Sequence, residues 1–157
     1  MPLDTTAPAN DMQFPNFPSY LRGVWLNQFT PSYVVYPLWW WVSGTLTVAA
    51  NQGWEIPIQV DVLKAPVIVS CYARVKTAPT GASLIIDVNK NGVTIFTTQA
   101  NRPTIAAGAT VSSDSLPDVV SLAQNDYLTI DIDQIGSVVA GANLTVVMKV
   151  KQVLVIP

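Results

Sequence analysis

The fold is decided by the stretch LIIDVNKNGVTIFTT, residues 84–98. Two apolar runs, Leu84–Val88 and Val93–Thr98, are separated by the polar segment Asn89–Gly92. Asn and Gly take the positive φ of a tight reverse turn more readily than other residues, so Asn91-Gly92 predicts a β-hairpin. Similar apolar runs, bounded by turn residues, recur on both sides of this hairpin.

Most of the chain beyond residue 41 has the alternation of apolar and polar residues that is typical of β-strands. Tyr127–Ile135 is a clear case, and no amphipathic helix of roughly ten or more residues is evident. About eight short strands with turns between them indicate a sandwich or barrel. We predict an all-β, antiparallel β-sandwich with a jelly-roll-like strand order. Its strands are Thr45–Val48, Ile56–Leu63, Val67–Val75, Leu84–Val88, Val93–Thr98, Thr110–Ser113, Tyr127–Ile135 and Leu144–Ile156. We predict a turn at Asn51–Gly53 between the first two.

The N-terminal part of the chain differs in composition from the rest. The first 37 residues contain six of the 12 prolines, which disfavour helices and central strands, yet aromatic residues recur every few positions. We predict an extended arm over residues 1–41, which places aromatic side chains in grooves of its own domain, a sister subunit or another protein. The β-sandwich domain then covers residues 42–157. The predicted interface residues are Phe14, Phe17, Tyr20, Trp25, Phe29, Tyr33, Tyr36, Trp39, Trp40 and Trp41.

The three consecutive tryptophans Trp39, Trp40 and Trp41 mark the end of this arm. Successive side chains of a strand point to opposite faces, so three adjacent indoles cannot all enter one core. We interpret the cluster as core on one face and as a protein interface on the other, because exposed indoles favour association. The alternatives are an unusually aromatic core within one subunit and a platform for stacking carbohydrate.

The composition excludes several classes of partner. Half of the residues are hydrophobic and only 11% are charged, with a net charge of −2. A surface with so few charges favours contact with other protein chains, and it offers no basic patch for nucleic acid. No apolar run is long enough to span a membrane, and the first residues lack the pattern of a secretory signal.

The sequence lacks the usual groups of catalysis and metal binding. It contains no histidine and a single cysteine, Cys71, which we expect to be a buried, inert thiol. We therefore expect no enzymatic activity, no cofactor and no metal. Carboxylates leave two alternatives, a calcium site or a pair that hydrolyses glycosides. The candidate carboxylates are Asp87, Asp126, Asp131 and Asp133. Asp131 and Asp133 alternate with isoleucines, which places these two on a solvated strand face.

The stretch from Ala73 to Val150 resembles a β-structured module of tailed-bacteriophage virion proteins. The phrases that carry the resemblance are ARVKTAPTGASLIIDVNKNGVTIFTT, RPTIAAGATVSS and LAQNDYLTIDIDQIGSVVAGANLTVVM. Such modules occur in capsid cement or decoration proteins and at the ends of tail fibres and other appendages. The resemblance implies a jelly-roll-like fold and, commonly, trimers, and it brings no catalytic residues.

An aromatic arm in place of a fibrous shaft favours a capsid cement protein over a fibre tip. We therefore expect a homotrimer, made in the host cytoplasm, that binds the major capsid protein or other virion proteins at the capsid surface. The alternative is a tail-appendage or receptor-binding protein that recognises host-surface glycan through the turns Asn89–Asn91 and Asn101–Arg102.

Overall fold

The computed structural model describes residues 33–60 and 65–153 of the 157-residue chain. All strand pairs in this part are antiparallel, and it contains no α-helix, which confirms the predicted all-β class. No helix that could cross a lipid bilayer occurs within these ranges. The strands are β1 Tyr33–Thr45, β2 Ala49–Pro57, β3 Val67–Thr77, β4 Leu84–Lys90, β5 Val93–Thr94, β6 Thr104–Ile105, β7 Tyr127–Gln134 and β8 Ala142–Val153, with a 3₁₀ turn at Gln99–Asn101.

The strands form two sheets. One has the order β1-β8-β3, and residues 111–121 bridge the free side of β3 at three points. The other has the order β2-β7-β4-β5, with β6 also paired to β4. The chain changes sheet between β1 and β2, β2 and β3, β3 and β4, and β7 and β8. This winding is that of a jelly roll, so the predicted strand order is confirmed.

The hairpin that decides the fold is present but shorter than predicted. Asn91 and Gly92 form its turn with φ values of 53° and 79°, the positive φ that a two-residue type I′ turn needs. Strand β5 ends at Thr94 instead of Thr98. The Ile95 N–H still donates a hydrogen bond to the Val88 carbonyl, but the ladder stops there, and Ile95 and Phe96 are fully buried in the core. Burial of these two apolar side chains outweighs continued pairing along the ladder.

Strand β2 differs most from the prediction. The sequence placed a turn at Asn51–Gly53 between two strands, whereas the structure has one continuous strand with two irregularities in its pairing to β7. Asn51 and Gly53 have positive φ values of 52° and 78° and belong to these irregularities. Extra residues in one strand of a pair bend it and increase its twist.

The core lies between the two sheets and is almost entirely aliphatic. Its side chains come from the inward positions of the long strands, which alternate along β8 as predicted. Trp40 is the largest side chain in the core, and Phe96 is the next largest.

The predicted boundary between arm and sandwich after residue 41 falls inside β1. Strand β1 pairs with β8 from Tyr33, opposite Val153, to Thr45, opposite Ala142. Residues 33–41 thus lie in the sheet, where Pro37 is accommodated because β1 is an edge strand of the sheet that the structure describes. Residues 1–32, with the predicted interface residues Phe14, Phe17, Tyr20, Trp25 and Phe29, lie outside the described residues.

Candidate interface on the outer face of the three-stranded sheet

Strand β1 separates the three consecutive tryptophans between two faces. Trp39 and Trp41 are each 51% exposed, whereas Trp40 between them is 0% exposed. This follows from the period of two in a strand, which sends every second side chain outward. Trp40 thus faces the core and Trp39 and Trp41 face outward, while an interface at the two outward indoles stays a prediction.

Trp40 belongs to the core of the subunit. Its side chain packs between the sheets, and its Nε1–H donates a 3.0 Å hydrogen bond to the backbone carbonyl of Trp54 on β2. A fully buried side chain cannot contact a partner, so the structure corrects the assignment of Trp40 to an interface. The bond also ties the edge of β1 to β2 in the other sheet.

The outward side chains of β1 continue into an apolar surface across the sheet. Val147 on β8 lies opposite Trp39, and Tyr72 on β3 lies opposite Val147. We call this surface the aromatic face. It comprises Tyr33, Val35, Trp39, Trp41, Tyr72 and Val147.

Two lysines of β8 border the aromatic face. Lys151 Nζ lies 4.2 Å from the centroid of the Tyr33 ring, and Lys149 Nζ lies 5.6 Å from that of Tyr72. Lys149 also forms a 2.7 Å ion pair with Asp114. Since β8 is the central strand of the sheet, with Lys151 opposite Val35 and Lys149 opposite Pro37, the two lysines lie beside the apolar residues. The cation–π contacts and the ion pair hold them there.

The free edge of β1 adds a second feature to this side of the molecule. β1 is 13 residues long and has no neighbour on its other side within the described residues. A long apolar edge strand offers unpaired backbone groups to another chain. The aromatic face and this edge together make β1 the candidate site of association.

The remaining described interface prediction is Tyr36, which points inward. It is half-buried against the core, and this burial raises the pKa of its hydroxyl above the usual value. Tyr33 lies on the aromatic face as an exposed residue. Val147 and Tyr72 were missed by the sequence reasoning, although the alternation along β3 and β8 contained the signal that places them outward.

Three of the four candidate carboxylates lie on strands of the other sheet, and two of these lie opposite each other. Asp87 on β4 is directly opposite Asp131 on β7. Asp131 accepts 2.7 Å hydrogen bonds from the backbone N–H of Asn51 and from Asn89 Nδ2. Asp87 accepts hydrogen bonds from Thr94 Oγ1 and from the backbone N–H of Val88, each 2.7 Å long.

Burial of Asp87 disfavours the charged form of its carboxyl. Burial raises the pKa of Asp87 above its usual value, the hydrogen bonds from Thr94 and Val88 act in the opposite direction, and the charge of Asp133 raises it further. Asp133 in turn forms an ion pair with Arg102. Both groups therefore have partners within the fold.

Asp126 holds the loop before β7. It accepts hydrogen bonds from Asn91 Nδ2 at 2.7 Å and from the backbone N–H of Ala123 at 2.8 Å, and it lies 3.6 Å from Lys90 Nζ. These hydrogen bonds and the nearby lysine lower the pKa of Asp126 against the opposing effect of burial. Across the described ranges, no three His, Cys, Asp or Glu side chains form a group that could hold a metal ion.

The two turns considered for glycan binding use their polar side chains internally. Asn89 is buried and bonded to Asp131, and Asn91 binds Asp126 and the backbone N–H of Tyr127. Arg102 is engaged by Asp133. Asn101 is the exception, because its side chain is exposed.

Cys71 lies in the core on β3. It is fully buried, and burial raises the pKa of its thiol far above the usual value, with a smaller contribution from the negative charge of Asp114. Such a thiol is a poor nucleophile because the reactive thiolate is disfavoured.

Comparisons with known proteins found a match among solved structures only. No protein-family model matches the chain, and no curated protein matches it. A solved structure titled "Cyanophage Pam1 capsid asymmetric unit" contains a chain that is 17% identical, with a TM-score of 0.47. The match covers 81% of this chain and 88% of that chain.

Proposed function

We propose that the chain is a non-enzymatic structural protein of a phage virion, a capsid cement or decoration protein that stabilises the head through contacts of its aromatic face. The observation that carries this proposal is the outward pair Trp39 and Trp41 on a long edge strand. Exposed apolar patches of this kind are typical of surfaces that other proteins cover. The resemblance of residues 73–150 to modules of tailed-phage virion proteins supports the choice of partner.

The mechanism of stabilisation is thermodynamic. A protein that binds an assembled shell, but not its dissociated subunits, shifts the equilibrium toward the shell by mass action. The chain then needs a surface complementary to neighbouring virion proteins and no catalytic group. The carboxylates described above are engaged in holding loops and strands, which fits a structural role.

Self-association belongs to the same proposal. The resemblance implies trimers, and the free edge of β1 is a surface that a sister subunit or a capsid protein would cover. Covering this edge also removes a site of aggregation, which matters for a chain with only 11% charged residues.

The test uses the purified full-length chain and emptied capsids of the phage that encodes it. We expect a trimer by light scattering, co-sedimentation with the capsids and a higher temperature of capsid disruption. The double variant Trp39→Ser/Trp41→Ser should lose capsid binding while it keeps its fold by circular dichroism. The control Val93→Ser removes another exposed apolar side chain, on β5, and should bind like the wild type. Failure of the wild type to bind capsids, or equal binding by the double variant, would refute the proposal.

A further inference from the structure

We propose that a groove beside β2 binds a neutral sugar. The groove has a volume of about 400 Å³, within the range of small-molecule sites. Its walls include Asn51, Trp54 and Glu55 of β2 and Tyr127 and Thr129 of β7. This site adjoins the aromatic face through the contact of Trp54 with Trp39, but it does not depend on the proposed role in the capsid.

The groove exists because β2 pairs irregularly with β7. Gln52 lies opposite Ile130 and Ile56 opposite Leu128, so three residues of β2 stand against one of β7. Such an excess bends a strand away from its partner and redirects its side chains. The intervening residues include Trp54 and Glu55, which are both exposed.

Trp54 provides an aromatic wall that is held in place before any ligand arrives. Its ring meets the edge of Trp39 with centroids 5.4 Å apart and planes 80° apart. Its backbone carbonyl accepts the hydrogen bond from Trp40 Nε1. A side chain fixed in this way loses little conformational entropy when a ligand packs on it.

Tyr127 provides a second aromatic side chain from the first position of β7. Its backbone N–H donates a 2.9 Å hydrogen bond to Asn91 Oδ1, which fixes β7 against the hairpin turn. The Tyr127 hydroxyl lies near Gly92, where a Cβ would be 3.7 Å from it. A pyranose offers C–H groups that pack on aromatic rings and hydroxyls that form hydrogen bonds, which matches two aromatic walls with polar groups between them.

Thr129 supplies the observation that points to a missing partner. Its Oγ1 is buried and has no hydrogen-bond partner within the described residues, although the residue lines the groove. Buried hydroxyls are nearly always satisfied by protein, water or ligand. Because Oγ1 is closed to solvent-sized groups as it stands, a sugar hydroxyl reaches it only after the Thr129 side chain rotates toward the groove.

The charges of the groove restrict the class of sugar. Among the described residues that line it there is no Lys or Arg, and Glu55 contributes a carboxylate. Asp131 lies close by, because it accepts the backbone N–H of Asn51. An acidic sugar would meet negative charge without a compensating cation, so neutral hexoses and N-acetylhexosamines are favoured over uronic and sialic acids.

The test begins with the full-length chain on a glycan array that carries neutral and acidic sugars. Titration with the methyl glycoside of the best neutral hit, followed by NMR, then gives a dissociation constant for the wild type and for variants. Trp54→Ala and, independently, Tyr127→Ser should each weaken binding by about tenfold, the loss expected for one aromatic contact. Trp41→Ala removes an equally exposed indole outside the groove and should leave the affinity unchanged.

Three results would overturn the inference. They are an array on which the wild type binds no neutral glycan, a preference for acidic sugars, and equal losses for Trp54→Ala and Trp41→Ala. Thermal melting of every variant checks that it is folded. Because Tyr127→Ser leaves the Trp39–Trp54 contact in place, the result does not depend on loss of that contact alone. Capsid binding is measured on separate samples, so failure of the sugar site leaves the proposed function intact.

Discussion

Replacing Trp40 and Trp41 one at a time separates the core from the proposed interface. The two indoles are adjacent in sequence, but one is fully buried and the other is half exposed. Replacement of the buried indole should therefore affect mainly the stability of the subunit, and replacement of the exposed one mainly its association. Trp40→Ala should lower the free energy of unfolding, and Trp41→Ala should weaken association.

The expected loss for Trp40→Ala follows from its burial. Removing a buried Trp side chain costs ~3–5 kcal/mol, and leaving the Trp54 carbonyl without its donor adds about 1 kcal/mol. A domain of this size is typically stable by ~5–15 kcal/mol, so the variant is expected to approach unfolding at room temperature. Trp40→Phe retains most of the volume and should lose only about 1–2 kcal/mol.

The expected loss for Trp41→Ala follows from its exposed half. A large aromatic side chain buries ~150–250 Å² when covered, so about 100 Å² remains for a partner to cover. At ~25 cal/mol per Å² this is about 2.5 kcal/mol, or close to a hundredfold in affinity. The other half of the ring already packs within the subunit, so the free energy of unfolding should also fall, by about 2.5 kcal/mol at most and by less than for Trp40→Ala.

The assays are urea unfolding for stability and co-sedimentation with capsids for association, at matched concentrations of folded protein. If Trp41→Ala unfolds as readily as Trp40→Ala, both indoles belong to the core and the division between the two faces is refuted. If Trp41→Ala unfolds and associates like the wild type, the Trp41 ring is not part of the interface.

Two further predictions concern the other sheet and its loops. The pKa of Asp126 is lowered in the fold, so its carboxylate stabilises above the unfolded pKa and this contribution is lost as the pH falls through the folded pKa. Asp126→Asn should thus lower the free energy of unfolding by about 1 kcal/mol at neutral pH and by less near pH 2. Asp87→Asn should raise it most at neutral pH, because burial raises the pKa of Asp87. Urea unfolding at both pH values that showed no such opposite trends would contradict this. Gly136→Ala would place a Cβ 1.9 Å from the Val139 carbonyl oxygen and 2.7 Å from the Thr80 nitrogen, so we expect a loss of about 3 kcal/mol or more. Gly108→Ala, where no atom lies within 4 Å but φ is +82°, should lose only about 1 kcal/mol by thermal melting, and similar losses for both would contradict the steric argument.

The fold was predictable because the turn chemistry and the alternation agree over most of the chain. Asn91-Gly92 predicted the hairpin, and the alternation in β7 predicted that Leu128, Ile130 and Ile132 share one face, which is the buried one. Strand limits were less predictable, because the end of β5 depends on the burial of Ile95 and Phe96 between sheets. No local pattern reveals that the other layer offers space for them.

The candidate site was predictable only in part, for a different reason. Alternation shows that three adjacent indoles divide between two faces, but it does not show which face of β1 meets the second sheet. The groove was missed altogether, because it arises where Trp54 and Tyr127, more than 70 residues apart in sequence, meet across an irregular strand pair. The sequence reasoning treated Asn51–Gly53 as a turn, which hid the bulge that creates the groove.

The size of the aromatic face bears on how a cement protein of this kind would hold a capsid. Trp39 and Trp41 together leave about 200 Å² to be covered, which contributes about 5 kcal/mol. Association of two proteins costs ~4–15 kcal/mol in translational and rotational freedom, so these two indoles on one subunit bind a capsid site only weakly. A trimer that engages three equivalent sites of the lattice makes the second and third contacts intramolecular, which raises the overall affinity by orders of magnitude without any new contact. We therefore expect trimer formation to strengthen capsid binding, and a variant that stays monomeric should bind the capsid more weakly even with an intact aromatic face.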